Sequence, residues 1–321
     1  MAAKSLDILG VGISAVDDLT YIDEVPQVNF KYPVRDKTRN GGGLTATAMA
    51  AAARLGGKVA YTARFNNGDL SNFMTGLFNE YGVKTEHIIH DPAGKPYHSV
   101  IVVDKATGSR TIFYDCRDFK QPTAADLADD VIASAKVFFM DFLAEPVPVE
   151  LARKVRKLGV PIVADIEGRS PGVDALLHEI DYVVVSEEFA QWKSGEKDLA
   201  TACAALAKAG GPNRKATVVT GGAAGCWYAT SNNGPVTHQP AFKVIATDTN
   251  GCGDTYHGAF AYAISQGWSV TEAVLLASAA GAIKASGRGG WPALPTRAQA
   301  KTFLQQRQAE HPAIAGLAAK L

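Results

Sequence analysis

Short apolar runs, parted by polar or glycine-rich stretches, recur along the chain, and their lengths and periods predict its elements. Residues 6–13 form a compact apolar run ending in glycines, which reads as a buried strand. The pattern then stays extended through 19–22 and 32–34 rather than turning helical. The first helical period covers 44–55, rich in alanine and opened by Gly41-Gly42-Gly43. A strand over 58–64 and a helix over 69–81 follow. Residues 97–104 and 110–115 flank a Lys105–Gly108 turn and read as a hairpin. From residue 123 the alternation is regular. Thr123-x-x-Asp126 can open a helix, and strands are expected at 137–140, 160–164, 182–185 and 216–220, with helices near 147–158 and 197–209. Ser269-x-x-Glu272 and Thr296-x-x-Gln299 are capping boxes for helices near the end of the chain.

Strands that alternate with helices imply a parallel sheet covered on both faces. The expected fold is one three-layer α/β/α domain over residues 1–321 with a mostly parallel central sheet. The extended segments 15–37 and 97–116 have no helices of their own to cover them. Two such excursions are expected to pair as a small β-sheet standing off the body as a lid.

Composition narrows the function. Of 321 residues, 47% are hydrophobic and 20% charged, which suits a globular chain. Lys and Arg number 32 against 32 Asp and Glu, so the net charge is zero. A nucleic-acid partner or an anionic membrane surface would call for a basic face, and neither is expected. No run approaches the roughly 18 apolar residues of a membrane span. The first apolar run is broken by Asp7 and followed by Asp17 and Asp18, unlike a secretory leader. Cys116, Cys203, Cys226 and Cys252 are far apart, which suits thiols in a reducing cytoplasm better than a zinc site.

Three glycine motifs carry candidate chemistry. Gly10-x-Gly12-x-x-Ala15 follows a strand as a dinucleotide fingerprint does, but the next residues are extended and acidic where a helix N-terminus should meet pyrophosphate. Those glycines are better read as room for a close substrate approach, with Asp17 pointing at the ligand. Gly41-Gly42-Gly43 is either a flexible helix entry or a place where a ligand lies against bare backbone. The strongest motif is Asp248-Thr-Asn-Gly251-Cys252-Gly253-Asp254, running into an apolar helix. Its turn leaves first-turn N–H groups unpaired, so that they and the helix dipole can hold developing negative charge. Asp254 at the mouth of that turn is either a helix cap or a base that takes a proton from a hydroxyl during phosphoryl transfer.

Asp-Thr-x-Gly-x-Gly-Asp resembles the C-terminal signature of the ribokinase-like, or phosphofructokinase B-type, carbohydrate kinases. In the same order the chain carries Asp17 after the first strand, the glycine triplet leading to Arg54-Leu-Gly56, Val219-Thr-Gly-Gly222-x-x-Gly225, and Gln239-Pro-Ala-Phe-Lys-Val244. The likeness spans residues 6–305, and within the family it looks closest to the bacterial sulfofructose kinase branch. It implies an ATP- and Mg²⁺-dependent kinase acting on a primary hydroxyl of a sugar, often a homodimer joined through its lid. A nucleoside kinase and a weakly catalytic sugar-binding regulator are the alternatives.

By the same resemblance, Asp254 is the base and Gly251, Cys252 and Gly253 form the anion hole. Asp17, Gly42, Gly43 and Thr47 line the sugar, with Lys31 and Arg64 the cations placed nearest. Thr220, Gly222, Gly225, Ser186 and Ser278 belong to the ATP site. Glu187 stands for the magnesium-organising Glu, and Asp248 with Gly287–Gly290 falls where many members hold a monovalent cation such as K⁺. The chain departs from the pattern in several places. Thr47 replaces an Asn, Ser186-Glu-Glu-Phe189 replaces Asn-x-x-Glu, and Cys252 replaces an alanine. Lys31 matches a cation of the sulfofructose branch, whereas Tyr114 and Leu143, at its other sulfonate positions, are poor anion ligands.

Overall fold

A computed structural model describes residues 4–24, 26–104 and 110–321. The strands are β1 (Leu6–Val11), β2 (Ala15–Ile22), β3 (Asp36–Gly42), β4 (Val59–Thr62), β5 (Arg64–Phe65), β6 (Val83–Lys84), β7 (Ile89–His90), β8 (Tyr97–Asp104), β9 (Arg110–Asp115), β10 (Ala135–Phe142), β11 (Ile162–Ile166), β12 (Tyr182–Ser186), β13 (Ala216–Thr220), β14 (Cys226–Ala229) and β15 (Val236–Gln239). The helices are α1 (Leu44–Arg54), α2 (Asp69–Glu80), α3 (Asp129–Ala133), α4 (Val149–Lys157), α5 (Val173–Glu179), α6 (Glu187–Ser194), α7 (Leu199–Lys208), α8 (Cys252–Ser265), α9 (Val270–Ser286), α10 (Arg297–Gln305) and α11 (Ile314–Lys320).

Nine strands form the main sheet in the order β15-β14-β13-β12-β11-β10-β1-β4-β6. It is parallel from β13 to β6, and only β14 and β15 run antiparallel at one edge. The strands read as continuous apolar runs because both faces are covered. Phe138 and Phe139 are neighbours in β10 yet enter opposite layers. Phe139, with Ile8, Val163 and Val184, packs under α1, α8 and α9; Phe138, with Leu9, Ile162 and Val183, packs under α4, α5 and α7. Alanines of α1 let α8 approach closely: a Cβ on Gly258 would lie 2.1 Å from the Ala48 carbonyl oxygen. Both expected capping boxes are present, at Ser269 and Thr296.

A smaller sheet stands beside the main one in the order β3-β2-β8-β9. β2 and β8 pair in parallel along their whole length, from Ala15 opposite Tyr97 to Ile22 opposite Asp104, so the two expected excursions do meet. β8 and β9 are antiparallel, as the expected hairpin requires; its turn at Lys105–Gly108 lies outside the described residues. The sheet also takes in β3, which reaches past residue 37 to Gly42. β3 has no apolar alternation to announce it. It is held by its ladder to β2 and by Arg39, which donates to both oxygens of Asp18 and to Asp69. Leu19, Tyr21 and Ile101 face inward as a small apolar cluster.

The start of α3 differs from expectation. Thr123 and Asp126 do not start a helix, because the Asp126 carboxylate takes the Thr123 N–H and hydroxyl and pairs with Arg64; the helix begins at Asp129.

Candidate active site

The C-terminal ends of the parallel strands share one edge of the sheet, where ligands bind in open α/β sheets. The N-terminus of α8 points at the same edge. Its N-cap, Gly251, has φ 73°, a left-handed conformation that a glycine adopts without strain. Asp248 shapes the approach: one carboxylate oxygen accepts from the Asn250 N–H at 2.9 Å and the other from the Gly289 N–H at 3.1 Å. The N–H groups of Thr247 and Asp248 both reach the Ala285 carbonyl, at 2.7 and 3.1 Å. The Cys252 N–H bends back to the Thr249 carbonyl at 3.3 Å. The amides of Gly253 and Asp254 belong to the first turn, which has no intrahelical partner for them, and they add to the dipole's positive end.

Asp254 sits in that first turn among other acids. Burial holds its carboxyl well above the usual carboxylate range, and the nearby charges of Glu167, Asp141 and Asp17 push the same way, with Lys284 opposing them. Each acid comes from a different element. Asp17 lies on the inner side of β2, and a Cβ on Gly42 would fall 2.3 Å from its carboxylate. Asp141 ends β10, and one of its oxygens takes the Ile13 N–H (2.8 Å), the Thr45 N–H (3.0 Å) and the Thr45 hydroxyl (2.7 Å). Burial lifts Asp141 to about 6 in spite of those bonds. It fastens the end of β1 to the start of α1, next to Gly43, whose φ of 91° leads into that helix.

A second, deeper pair lies beneath Asp254. His257, one turn along α8, is buried and directs Nε2 to the Val184 carbonyl at 3.2 Å, which assigns its proton to that nitrogen. Nδ1 then faces an oxygen of the buried Asp165 at 3.2 Å. Burial drives His257 down to about 4 and Asp165 well up, so a neutral ring beside a protonated carboxyl is the favoured state. Ligand atoms of Asp165, Asp254 and His257 lie within 4.8 Å of one another.

Two cavities meet at Thr220 and Gly222, one of them against the start of α8. One, of 660 Å³, is lined by Gly225, Phe242, Val244, Cys252, Tyr256 and Ser278 and is largely apolar. The other, of 690 Å³, is acidic and holds Glu167, Arg169, Ser186, Glu187 and Glu188. Thr220 and Gly222 border both. The Ser186 hydroxyl caps α6 by accepting from the Phe189 N–H at 3.3 Å. Gly225 has φ 97°, and a Cβ there would strike the Gln239 carbonyl oxygen at 2.1 Å, which explains the glycine at this chain crossing.

Most residues expected from the sequence thus converge on one cleft. Thr47 lies on its wall near Gly251, and its hydroxyl accepts from the buried Trp291 indole N–H at 3.0 Å. Lys31 is exposed in the loop before β3. The Arg64 guanidinium is engaged by Asp91 and Asp126. Leu143 lines the acidic cavity, and Tyr114 stacks on Tyr97 in the small sheet with ring centroids 6.4 Å apart. Sequence reasoning passed over Asp141, Asp165, Glu167, His257 and Lys284. A signal existed for two of them: Asp165 and Glu167 close a buried parallel strand two residues apart, hence on one side of it.

Residues 11–297 match the family model for pfkB family carbohydrate kinases. The chain belongs to that family. Its members transfer a phosphoryl group to an alcohol, and this chain is an ATP-dependent sugar kinase of that type. It is 26% identical to fructokinase-2 of Solanum lycopersicum over 294 residues, covering 82% of this chain and 87% of the relative. It is 27% identical to ribokinase of Haemophilus influenzae over 270 residues, covering 82% and 87%. The structure of Arabidopsis thaliana ribokinase with ribose and ATP superposes with a TM-score of 0.79 at 21% identity, over 93% of this chain and 98% of that one. Among the described residues, no helix is long and apolar enough to cross a membrane.

Proposed function

We propose that this kinase moves the γ-phosphoryl group of ATP to a primary hydroxyl of a sugar held between Asp17, Gly42, Gly43 and the α8 N-terminus. The observation that carries the reading is the place of Asp254, in the first turn of α8, where its carboxyl feels the charge of Asp17 and its neighbour Gly253 lines the apolar cavity. The apolar cavity suits a purine, with Ser278 and Tyr256 on its wall. The phosphates then lie toward Gly222 and the amides of Gly251, Cys252 and Gly253.

The Asp254 carboxylate accepts the proton of the attacking hydroxyl. The hydroxyl oxygen forms a bond to the γ-phosphorus as the bond to the bridging oxygen breaks, and ADP takes up the released electron pair. The α8 amides hold the charge on the transferred group. Glu167, Glu187 and Glu188 fit Mg²⁺, since they set hard carboxylate oxygens on the cavity shared with Thr220. When bound there, the ion neutralises phosphate charge. The place beside Asp248 and Gly287–Gly290 does not fit a potassium ion, because the Lys284 ammonium already donates to the Asp248 carbonyl.

Lys31, on the exposed loop before β3, supplies a cation for a sugar with an anionic group, whereas Arg64 is already paired. Cytoplasmic ATP and reduced thiols suit the reaction and Cys252. The outer side of the small sheet, where Val100 pairs with an exposed Phe113, suits a homodimer joined through the lid. Asp254→Asn tests the mechanism: kcat falls by about 10²–10⁴ with ATP binding retained by calorimetry. Turnover near the wild-type rate would remove Asp254 as the base.

A further inference from the structure

Lys284 is 0% exposed, an unusual place for a lysine. Its helix, α9, is otherwise alanine-rich where it passes behind the site, and its ammonium donates to the Asp248 carbonyl oxygen at 3.3 Å. That carbonyl belongs to the 247–251 loop, which sets the direction in which α8 begins. The same loop is tied to α9 through the Ala285 carbonyl and to the following turn through Asp248 and Gly289. A buried ammonium is costly unless something gains from its charge. Asp254, whose carboxyl feels the Lys284 charge, and the Asp248 carbonyl supply that gain. Lys284 is the cation that counters Asp17, Asp141 and Glu167 at Asp254 among the described residues.

We propose that Lys284 is a built-in monovalent cation, tethered where related kinases are expected to bind potassium, and that it positions the loop from which the α8 amides start. A potassium ion at the Asp248 carbonyl would stand beside the Lys284 ammonium that already occupies it, and like charge opposes that second occupant. The site therefore works without an added monovalent cation. The inference rests on the reading of α8 as the anion hole. It fails separately from that reading, because Asp254→Asn tests the hole's chemistry and the cation response tests Lys284.

The test measures sugar phosphorylation by the purified enzyme at constant ionic strength in tetramethylammonium, sodium, potassium or ammonium chloride. The wild type should run at the same rate in all four, within the about twofold spread that ion-specific screening allows. Lys284→Met keeps the volume without the charge. Its kcat should drop by about tenfold or more with a smaller change in KM for the sugar, since the loss falls on charge stabilisation in the transition state. Its acid limb should move to higher pH, because Asp254 would then face Asp17, Asp141 and Glu167 without a countercharge. Lys284→Ala leaves room for an ion, and potassium or ammonium should restore part of its rate where tetramethylammonium does not. A wild type that requires potassium would overturn the proposal. So would a Lys284→Met enzyme with wild-type kcat, or a folded Lys284→Ala enzyme that no cation rescues. Should neither variant fold, the cation response of the wild type decides alone.

Discussion

Asp254 has to be ionised to act as a base, yet it is half-buried and feels the charges of Asp17, Asp141 and Glu167. Each of those conditions favours the protonated acid, so its carboxyl titrates above the usual carboxylate range. A base works only when deprotonated. The rate is therefore full above the pKa of Asp254 and is lost as pH falls through it, and a raised pKa places that loss at higher pH. In a kcat/KM profile the acid limb should have its midpoint well above about 4, the value for an unperturbed Asp. Glu167→Gln removes one neighbouring charge and should shift that midpoint downward. A limb at the ordinary carboxylate value would mean that Asp254 is not the titrating base. The residue scale is also where the sequence was least readable. The Asp248–Asp254 motif announces the base, but nothing local in Ala282-Ile-Lys284-Ala says that the lysine points inward. Its burial comes from helix packing, which a single-sequence period cannot reveal when alanines cover every side of the helix.

At the scale of elements, strands buried on both faces were legible, because a run such as Val137-Phe-Phe-Met140 admits only a covered sheet. α5 and α6 were not anticipated: they are short, and their apolar positions are few enough to pass for loop. β3 was hidden for the opposite reason, since Asp36-Lys-Thr-Arg-Asn40 is polar and mostly exposed, and only pairing with β2 makes it a strand. The small sheet turns Leu19, Tyr21 and Ile101 onto a cavity that they share with Thr247–Asn250, so its docking depends on what fills the cleft. Sugar binding should close it down. Hydrogen exchange in β2, β3 and β8 should slow when sugar is added and slow further with a non-hydrolysable ATP analogue. Protection confined to 200–290 would show that the small sheet does not act as a lid.

Across the whole molecule, net charge is zero but its distribution is not. Acids gather at the strand ends, and the small sheet turns a partly apolar side outward. On that side Val100 is 41% exposed and Phe113, its register partner on β9, 61% exposed. His98 and Asp18 flank them, with His98 Nε2 2.8 Å from the Asp18 carboxylate. A pair of large apolar side chains on an exposed sheet costs solubility unless something covers it. A second copy related by a two-fold axis would present the same pair in return, giving an isologous contact. The wild type should therefore sediment as a dimer at micromolar concentration. Phe113→Lys places like charges across the two-fold and should yield a monomer with unchanged melting behaviour of the main sheet. If the small sheet closes as a lid, of which β8 and β9 form one edge, the monomer should also show a raised KM for the sugar with kcat less affected. A Phe113→Lys protein that still sediments as a dimer would move the interface elsewhere, and a wild type that is monomeric at that concentration would leave this apolar side without the partner assigned to it.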